Sequence, residues 1–310
     1  MRALFISAVA NIIASTVAYS GELVLGFQDR QVSESGYAVF VLPGEAVEFE
    51  LRSAGSARFA ASVGEVAATS DSRWRWVAPS ESGSFGSLSI SELSGTATLQ
   101  LNVFVLIPAS EMKNGRVGDF RIDNYPSGSP RPDVNTYVPP LGFVEVTEAN
   151  RDINISPHFQ IGQFVSKQEG DWPKYVAPGP KLYAKLEQLL YAVRDQGFAA
   201  ETLHIMSGYR TPYYNRAIGN VQFSRHIYGD AADVFVDIDN DVYMDDLNRD
   251  GVVNVTDAAT MAKWLESISD DPALEPLEGG LGVYDSTQYH GPFIHVDSRG
   301  HVARWGLREF

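Results

Sequence analysis

The stretch SGYRTPYYNRAIGNVQFSRHIYGDAADVFVDID, Ser207 to Asp239, sets a histidine and an aspartate seven residues apart, His226 and Asp233, around one glycine and two alanines. Both side chains are of metal-ligand type. On an unbroken strand an odd separation would point them to opposite faces. Gly229 removes the conflict: a residue without a Cβ lets the chain turn between them, and DVFVDI then runs on as a strand with Asp233 at its head. A hydrolytic metal site needs three protein ligands and one open position, because the metal must both lower the pKa of water and polarise a carbonyl. The later strand FIHVDS offers His295 as the third ligand.

Working outward, LHIMSG, DVFVDI, LGVYD, FIHVDS and HVARW read as strands of one sheet. A helix is predicted over 180–196, with Leu182, Leu186, Leu189, Leu190 and Val193 as its buried stripe, Pro180 in its first turn and Gly197 at its end. Residues 151–310 are therefore expected to form an α+β domain, an antiparallel sheet with flanking helices. Before it, residues 109–150 are rich in Gly, Pro and Asn and read as an extended connection. Residues 21–108 alternate in short runs such as YAVFVL, EAVEFELR, RWRWVAP and TATLQLNVFVLI, which predicts an all-β, sandwich-like domain. Trp74 and Trp76 alternate within one such run and are expected to pack inward, with Asp71 nearby.

The arrangement Ser224-x-His226-x-x-Gly229-x-Ala231-x-Asp233, preceded by SGYRTPYYN and followed by FIHVD, resembles the zinc D-Ala-D-Ala carboxypeptidase family. Its relatives include D-Ala-D-Ala dipeptidases, phage endolysins, peptidoglycan endopeptidases and the hedgehog signalling domain. The resemblance covers residues 156–305. It implies a zinc metallopeptidase acting on peptidoglycan stem peptides or cross-links, as a carboxypeptidase or an endopeptidase. It makes His226, Asp233 and His295 the ligands of one catalytic zinc. It gives Arg210 the substrate's terminal carboxylate or carbonyl, and Ser224 a hydrogen bond to substrate beside the metal. A planar guanidinium at a strand end suits bidentate carboxylate capture better than a lysine would.

One position departs from the pattern. Many members carry an acidic general base three residues before the last histidine, where this chain has Pro292. His290 and Asp297 are the remaining candidates for the catalytic proton carrier. Some members have a catalytic histidine five residues before the last ligand, the place of His290. Asp297 shares strand parity with His295 and equally suits a partner that orients the imidazole. The substitution at Pro292 also keeps open a catalytically inactive, zinc-containing cell-wall or protein-binding module.

A second pattern lies between the second and third zinc ligands. DLNRDGVVNVTD carries oxygen ligands at loop positions 1, 3, 5, 9 and 12 and glycine at 6, as in an EF-hand calcium loop. These are Asp246, Asn248, Asp250, Asn254 and Asp257 with Gly251, and the Val252 carbonyl serves position 7. Asp at position 12 makes the loop resemble a dockerin repeat. The helix DAATMAKWLESI follows, so residues 239–270 are expected to form a calcium-stapled insert holding one structural calcium.

The formal charge of -15 argues against a nucleic-acid partner, whose phosphates need Lys and Arg. MRALFISAVANIIASTVAYSGE reads as a secretory signal over residues 1–20, cut before Gly21, its apolar run too short to span a bilayer. No other segment approaches the length of a membrane span, so no stable membrane insertion is expected. With no cysteine in the chain there is no disulfide framework. The expectation is a periplasmic or secreted monomer.

Overall fold

A computed structural model describes residues 23–93, 95–131, 134, 136–268 and 278–306. The predicted signal segment lies outside them. The first part is a sandwich of two sheets. One runs Arg30–Val32, Leu25–Phe27, Ala46–Leu51, Arg73–Val77, Glu65–Ser70; the other runs Ala38–Val41, Thr98–Val105, Phe85–Glu92, Ala57–Ala61. All neighbours are antiparallel except Ala38–Val41 and Thr98–Val105, which pair in parallel. Alternation does what period two requires: in Arg73–Val77 Trp74 and Trp76 are buried while Arg73 and Arg75 face solvent. The inward tryptophans join Phe49 and Phe59, with ring centroids of 5.0 Å for Phe49 and Phe59 and 5.5 Å for Phe59 and Trp74.

Ala38–Val41 breaks the alternation because it is buried on both faces. Val39 and Val41 enter the sandwich core, whereas Ala38 and Phe40 enter the core of the second part. Phe40 sits 5.6 Å from the Phe104 ring and 6.1 Å from that of Tyr183 on helix α1, Pro180–Asp195. The sandwich thus packs directly on the helix that backs the second sheet. Within residues 109–150 the chain adds the strand Gly142–Val146, which pairs with Ile107–Pro108 on one side and Lys174–Val176 on the other. Its Phe143, Val144 and Val146 belong to the second core.

The second part centres on a five-stranded sheet in the order His204–Ser207, Ala231–Phe235, Phe293–Asp297, Gly280–Tyr284, Ala303–Trp305. Its pairs are antiparallel except the last, Gly280–Tyr284 with Ala303–Trp305, which is parallel. Helix α1 starts with Pro180 in its first turn and buries Leu182, Leu186, Leu189, Leu190 and Val193. Gly197 follows its end at φ +84°, as a glycine after a helix commonly does. Helix α3, Val255–Ile268, packs against α1 and the sheet and buries Ala258, Met261, Ala262 and Leu265. The described parts of the molecule are thus mixed α and β, a β-rich domain beside an α+β one.

Candidate metal centre

Two short devices deliver the site residues to the sheet. After Ser207 the chain reads Arg210-Thr211-Pro212. Thr211 caps helix α2, Pro212–Ala217, its hydroxyl accepting from the Tyr214 amide at 3.0 Å, and Pro212 takes the first helical position. Arg210 is held just outside that helix, its amide donating to the His226 carbonyl at 3.1 Å. The second device is a 3-10 turn, Arg225–Tyr228, ended by Gly229 at φ +79°. A Cβ at Gly229 would lie 2.2 Å from the Ala177 carbonyl oxygen, so both conformation and close approach demand glycine here. The turn puts His226 beside Asp233, and Asp233 is the direct cross-strand neighbour of His295.

The three side chains converge. His226 Nε2 lies 3.2 Å from Asp233 Oδ1 and 3.2 Å from His295 Nδ1, and His295 Nδ1 lies 2.9 Å from Asp233 Oδ1. Their outer atoms determine what the inner ones can be. His226 Nδ1 donates to the Gly208 carbonyl at 2.7 Å, which leaves Nε2 as a lone pair. His295 Nε2 donates to Asp297 Oδ2 at 3.1 Å, which leaves Nδ1 as a lone pair. With both rings neutral, three buried acceptors face one point, an arrangement that a cation satisfies. Tetrahedral zinc with bonds of ~2.0–2.2 Å would set such atoms about 3.3 Å apart, so the residues present fit that ion.

Electrostatics favours the ligand form at His226 and Asp233, whereas at His295 a metal would displace a proton. Burial lowers the His226 pKa, which keeps its imidazole neutral. Burial works to raise Asp233, yet its contacts with His226 and His295 hold the carboxyl well below the usual carboxylate range. For His295 burial is outweighed by its hydrogen bonds to Asp233 and Asp297, and its pKa rises.

Around the ligands the structure places the other expected residues unequally. Arg210 is buried and ion-paired with the outer oxygen of Asp233, while its Nε donates to Ser207 Oγ at 2.9 Å. Asp297 is fully buried behind His295, on the Nε2 side of the ring and away from the converging atoms. It accepts from the Gly280 amide at 2.8 Å, from the Arg299 amide at 3.1 Å and from the Arg299 guanidinium at 2.8 and 2.9 Å. Burial works to raise its pKa, but those bonds hold it far below the ordinary range. His290 and Ser224 line the same cleft of about 1100 Å³ as the three ligands and Arg210. His290 Nδ1 donates to the Gly291 carbonyl at 2.8 Å, so its Nε2 is the nitrogen left to accept a proton.

Four residues at the site have no counterpart in the sequence reading. Arg299 clamps Asp297 and stands over the Trp305 ring at 5.2 Å. Its spacing of two from Asp297, the same parity signal that linked Asp297 to His295, was the available cue. Trp305 lies 5.2 Å from the His295 ring and packs where Gly282 leaves room, a Cβ there meeting the indole at 2.3 Å. Tyr137 enters the cleft from the segment read as a connection, edge-on to Phe223 and Tyr228 at 5.9 and 5.7 Å. Lys185 of α1 is buried and donates to the Asp297 carbonyl at 3.0 Å, with burial bringing its pKa down to about 8.

The acidic insert has a different character. Gly251 takes φ +87°. Asp246 accepts from the Asp250 amide at 3.2 Å and the Gly251 amide at 2.8 Å. Asp257, fully buried, accepts from the amides of Leu247, Asn248 and Asn254 at 2.8–3.1 Å. Among the described residues, the carboxylates that converge in this region are instead Asp237, Asp239 and Asp241. No described helix is long and apolar enough to cross a membrane.

Residues 157–269 match the model of a family described as Peptidase M15. The match spans His226 and Asp233 and supports a zinc metallopeptidase of that family. None of the curated proteins compared matches the chain. Two solved structures show weak local likeness, and at such scores neither bears on the argument. An LD transpeptidase in complex with imipenem is 13% identical with a TM-score of 0.17, over 27% of this chain and 40% of that one. The titin M3 domain is 13% identical with a TM-score of 0.18, over 27% of this chain and 97% of that one.

Proposed function

We propose that the protein is an exported zinc metallopeptidase that hydrolyses peptide bonds of peptidoglycan. The observation that carries the reading is the triangle of lone pairs on His226, Asp233 and His295 at the floor of a cleft that also holds a histidine with one free nitrogen. Zinc bound there supplies Lewis acidity, polarising a carbonyl and bringing the pKa of water toward neutrality. The chain's own residues do the rest. Gly208 and Asp297 hold the two imidazoles in the tautomer that presents a lone pair, and Arg210 occupies the outer oxygen of Asp233 so that Oδ1 alone points inward. Phe293 and Trp305 border the His290 and His295 rings with centroids 5.0 and 5.2 Å away.

His290 takes the proton from the attacking water at Nε2 and returns it to the leaving amine. The tautomer imposed by the Gly291 carbonyl supports this role. The crowded bonds of Asp297 support a positioning role for that residue, since its lone pairs are committed to Arg299, Gly280 and His295. Ser224 and the free donors of Arg210 are the polar groups that meet substrate. We assign the Asp246–Asp257 loop to one structural calcium; its support is the ligand spacing and the left-handed Gly251 at position 6.

Pro292 is the observation that favours the second reading, a binding module without turnover. Incubating the zinc-loaded protein with a muropeptide digest and weighing the products tests the choice. New peptide-bond hydrolysis, abolished by a chelator and restored by zinc, is the expected result. An unchanged digest in the presence of bound zinc would establish the binding module.

A further inference from the structure

We infer that Tyr137 is a substrate-contacting residue of the cleft, its phenol hydroxyl donating to a peptide carbonyl of the substrate alongside Ser224 and Arg210. The inference rests on the peptidase reading above and adds a specificity-determining residue to that same site.

Tyr137 comes from the segment that joins the two parts, outside the matched residues 157–269, so its place in the cleft is a device of this chain. The segment is strapped across the elements that aim the site. The Ile122 carbonyl accepts from the Tyr213 amide at 3.0 Å, Asp123 pairs with Arg216 of helix α2, and the Tyr125 and Tyr209 hydroxyls meet at 2.9 Å. Farther along, Arg225, the residue before the ligand His226, holds the strap twice. Its Nη1 donates to the Thr136 carbonyl at 3.0 Å, and its guanidinium stands 4.8 Å from the centre of the Tyr137 ring. Arg225 is itself fixed by a two-point bond to Asp230 and is 4% exposed. With Phe223 and Tyr228 edge-on to it, the Tyr137 ring is held in place before any ligand arrives. A side chain so fixed loses little rotamer freedom on binding, which is the condition for a specific contact.

The hydroxyl is what this packing does not account for. A phenylalanine would keep the edge-on contacts and the stacking on Arg225. The strap's other tyrosine, Tyr125, gives its hydroxyl a structural partner in Tyr209. The Tyr137 hydroxyl makes no hydrogen bond among the described residues, and unlike the buried Tyr228 hydroxyl it reaches solvent in the cleft wall. Ser224 Oγ, on the same run of chain as Phe223 and Arg225, is likewise unbonded among the described residues. Clefts orient a ligand with a few such polar groups set among apolar ones, here Val221 and Phe223. Both hydroxyls are uncharged, and the cation against the Tyr137 ring already has Asp230 as its partner. The group that this wall matches is therefore a neutral acceptor, the carbonyl of a peptide bond.

The test uses the zinc-loaded full chain and the muropeptide that it cuts fastest in the digest, assayed with its sugars and as the sugar-free peptide. Tyr137→Phe is expected to raise KM ~3- to 10-fold on both forms, the size of one hydrogen bond, with kcat within about twofold, one zinc retained and Tm unchanged. Tyr137→Ala raises KM a further ~3- to 10-fold by removing the ring as well. An unchanged KM in Tyr137→Phe, an effect on kcat alone, or lost zinc or a lowered Tm in that variant would overturn the inference and leave the peptidase reading standing. A KM effect confined to the sugar-bearing form would overturn the assignment to a peptide carbonyl. If the digest stays uncut, the peptidase reading falls, and the same ratio is read as the Kd of purified disaccharide pentapeptide for the zinc-loaded chain and for Tyr137→Phe. A ratio near one, or no binding by the unsubstituted chain, would then remove the inference too.

Discussion

Gly229 carries the site by what it lacks. With φ at +79° and the Ala177 carbonyl where a Cβ would stand, Gly229→Ala costs ~1–2 kcal/mol for the backbone conformation alone and more for the clash. A urea midpoint lowered by more than ~2 kcal/mol in stability, at unchanged slope, is expected. The two candidate proton carriers separate by the size of their effects. His290→Ala loses ~100- to 10,000-fold in turnover with zinc retained. Asp297→Asn loses ~10- to 100-fold in metal affinity or activity, because it frees the His295 ring. Near-normal turnover in the first variant beside collapse in the second at saturating zinc would reverse the roles. His295 also predicts a pH dependence. Its folded pKa in the metal-free site is raised above the ordinary ~6.5, so its proton stabilises the metal-free fold below ~6.5, and that contribution disappears as pH rises through the folded value. Metal has the opposite sign, since it needs the neutral ring. Apparent zinc affinity therefore falls about tenfold per unit as pH drops below the raised value; competition against a chelating dye between pH 5 and 8 measures it, and a flat profile would exclude His295 as ligand.

At the scale of elements, the strongly patterned ones were legible. The stripe Leu182 to Val193 and the Pro180 start predict α1 almost to its ends, because an amphipathic period fixes both face and length. The ligand strands were legible for a related reason: Gly229, DVFVDI and FIHVDS each state a turn or a period of two. Contacts created by pairing were not. Parallel pairing of Ala303–Trp305 with Gly280–Tyr284 brings Trp305 beside His295, and nothing local to either strand announces it. The ion pair of Arg210 with Asp233 was equally hidden, since it depends on where the Thr211 cap aims the preceding residue. The acidic loop makes the most direct prediction for an element. If it holds calcium, millimolar calcium raises Tm by mass action and Asp250→Ala abolishes the gain. A melting curve indifferent to calcium would leave the loop ordered by its own amide contacts.

Over the whole molecule, the two parts share apolar surface that neither could leave exposed. Phe40 is 8% exposed and belongs to the same core as Tyr183, Phe104 and the Gly142–Val146 strand. Phe40→Ala is expected to cost ~3–5 kcal/mol and to lower the single unfolding transition of both parts together. Two separated transitions would show that they fold independently. The sandwich pattern was readable from alternation, yet its doubly buried strand and the Tyr137 wall of the cleft were not, because a residue's second partner leaves no trace in local period. Every functional statement above depends on one ion at His226, Asp233 and His295. The most direct test is elemental analysis of the purified full chain beside His226→Ala and His295→Ala. One zinc per chain, lost from both folded variants, is the predicted result; zinc undiminished in both would contradict the account.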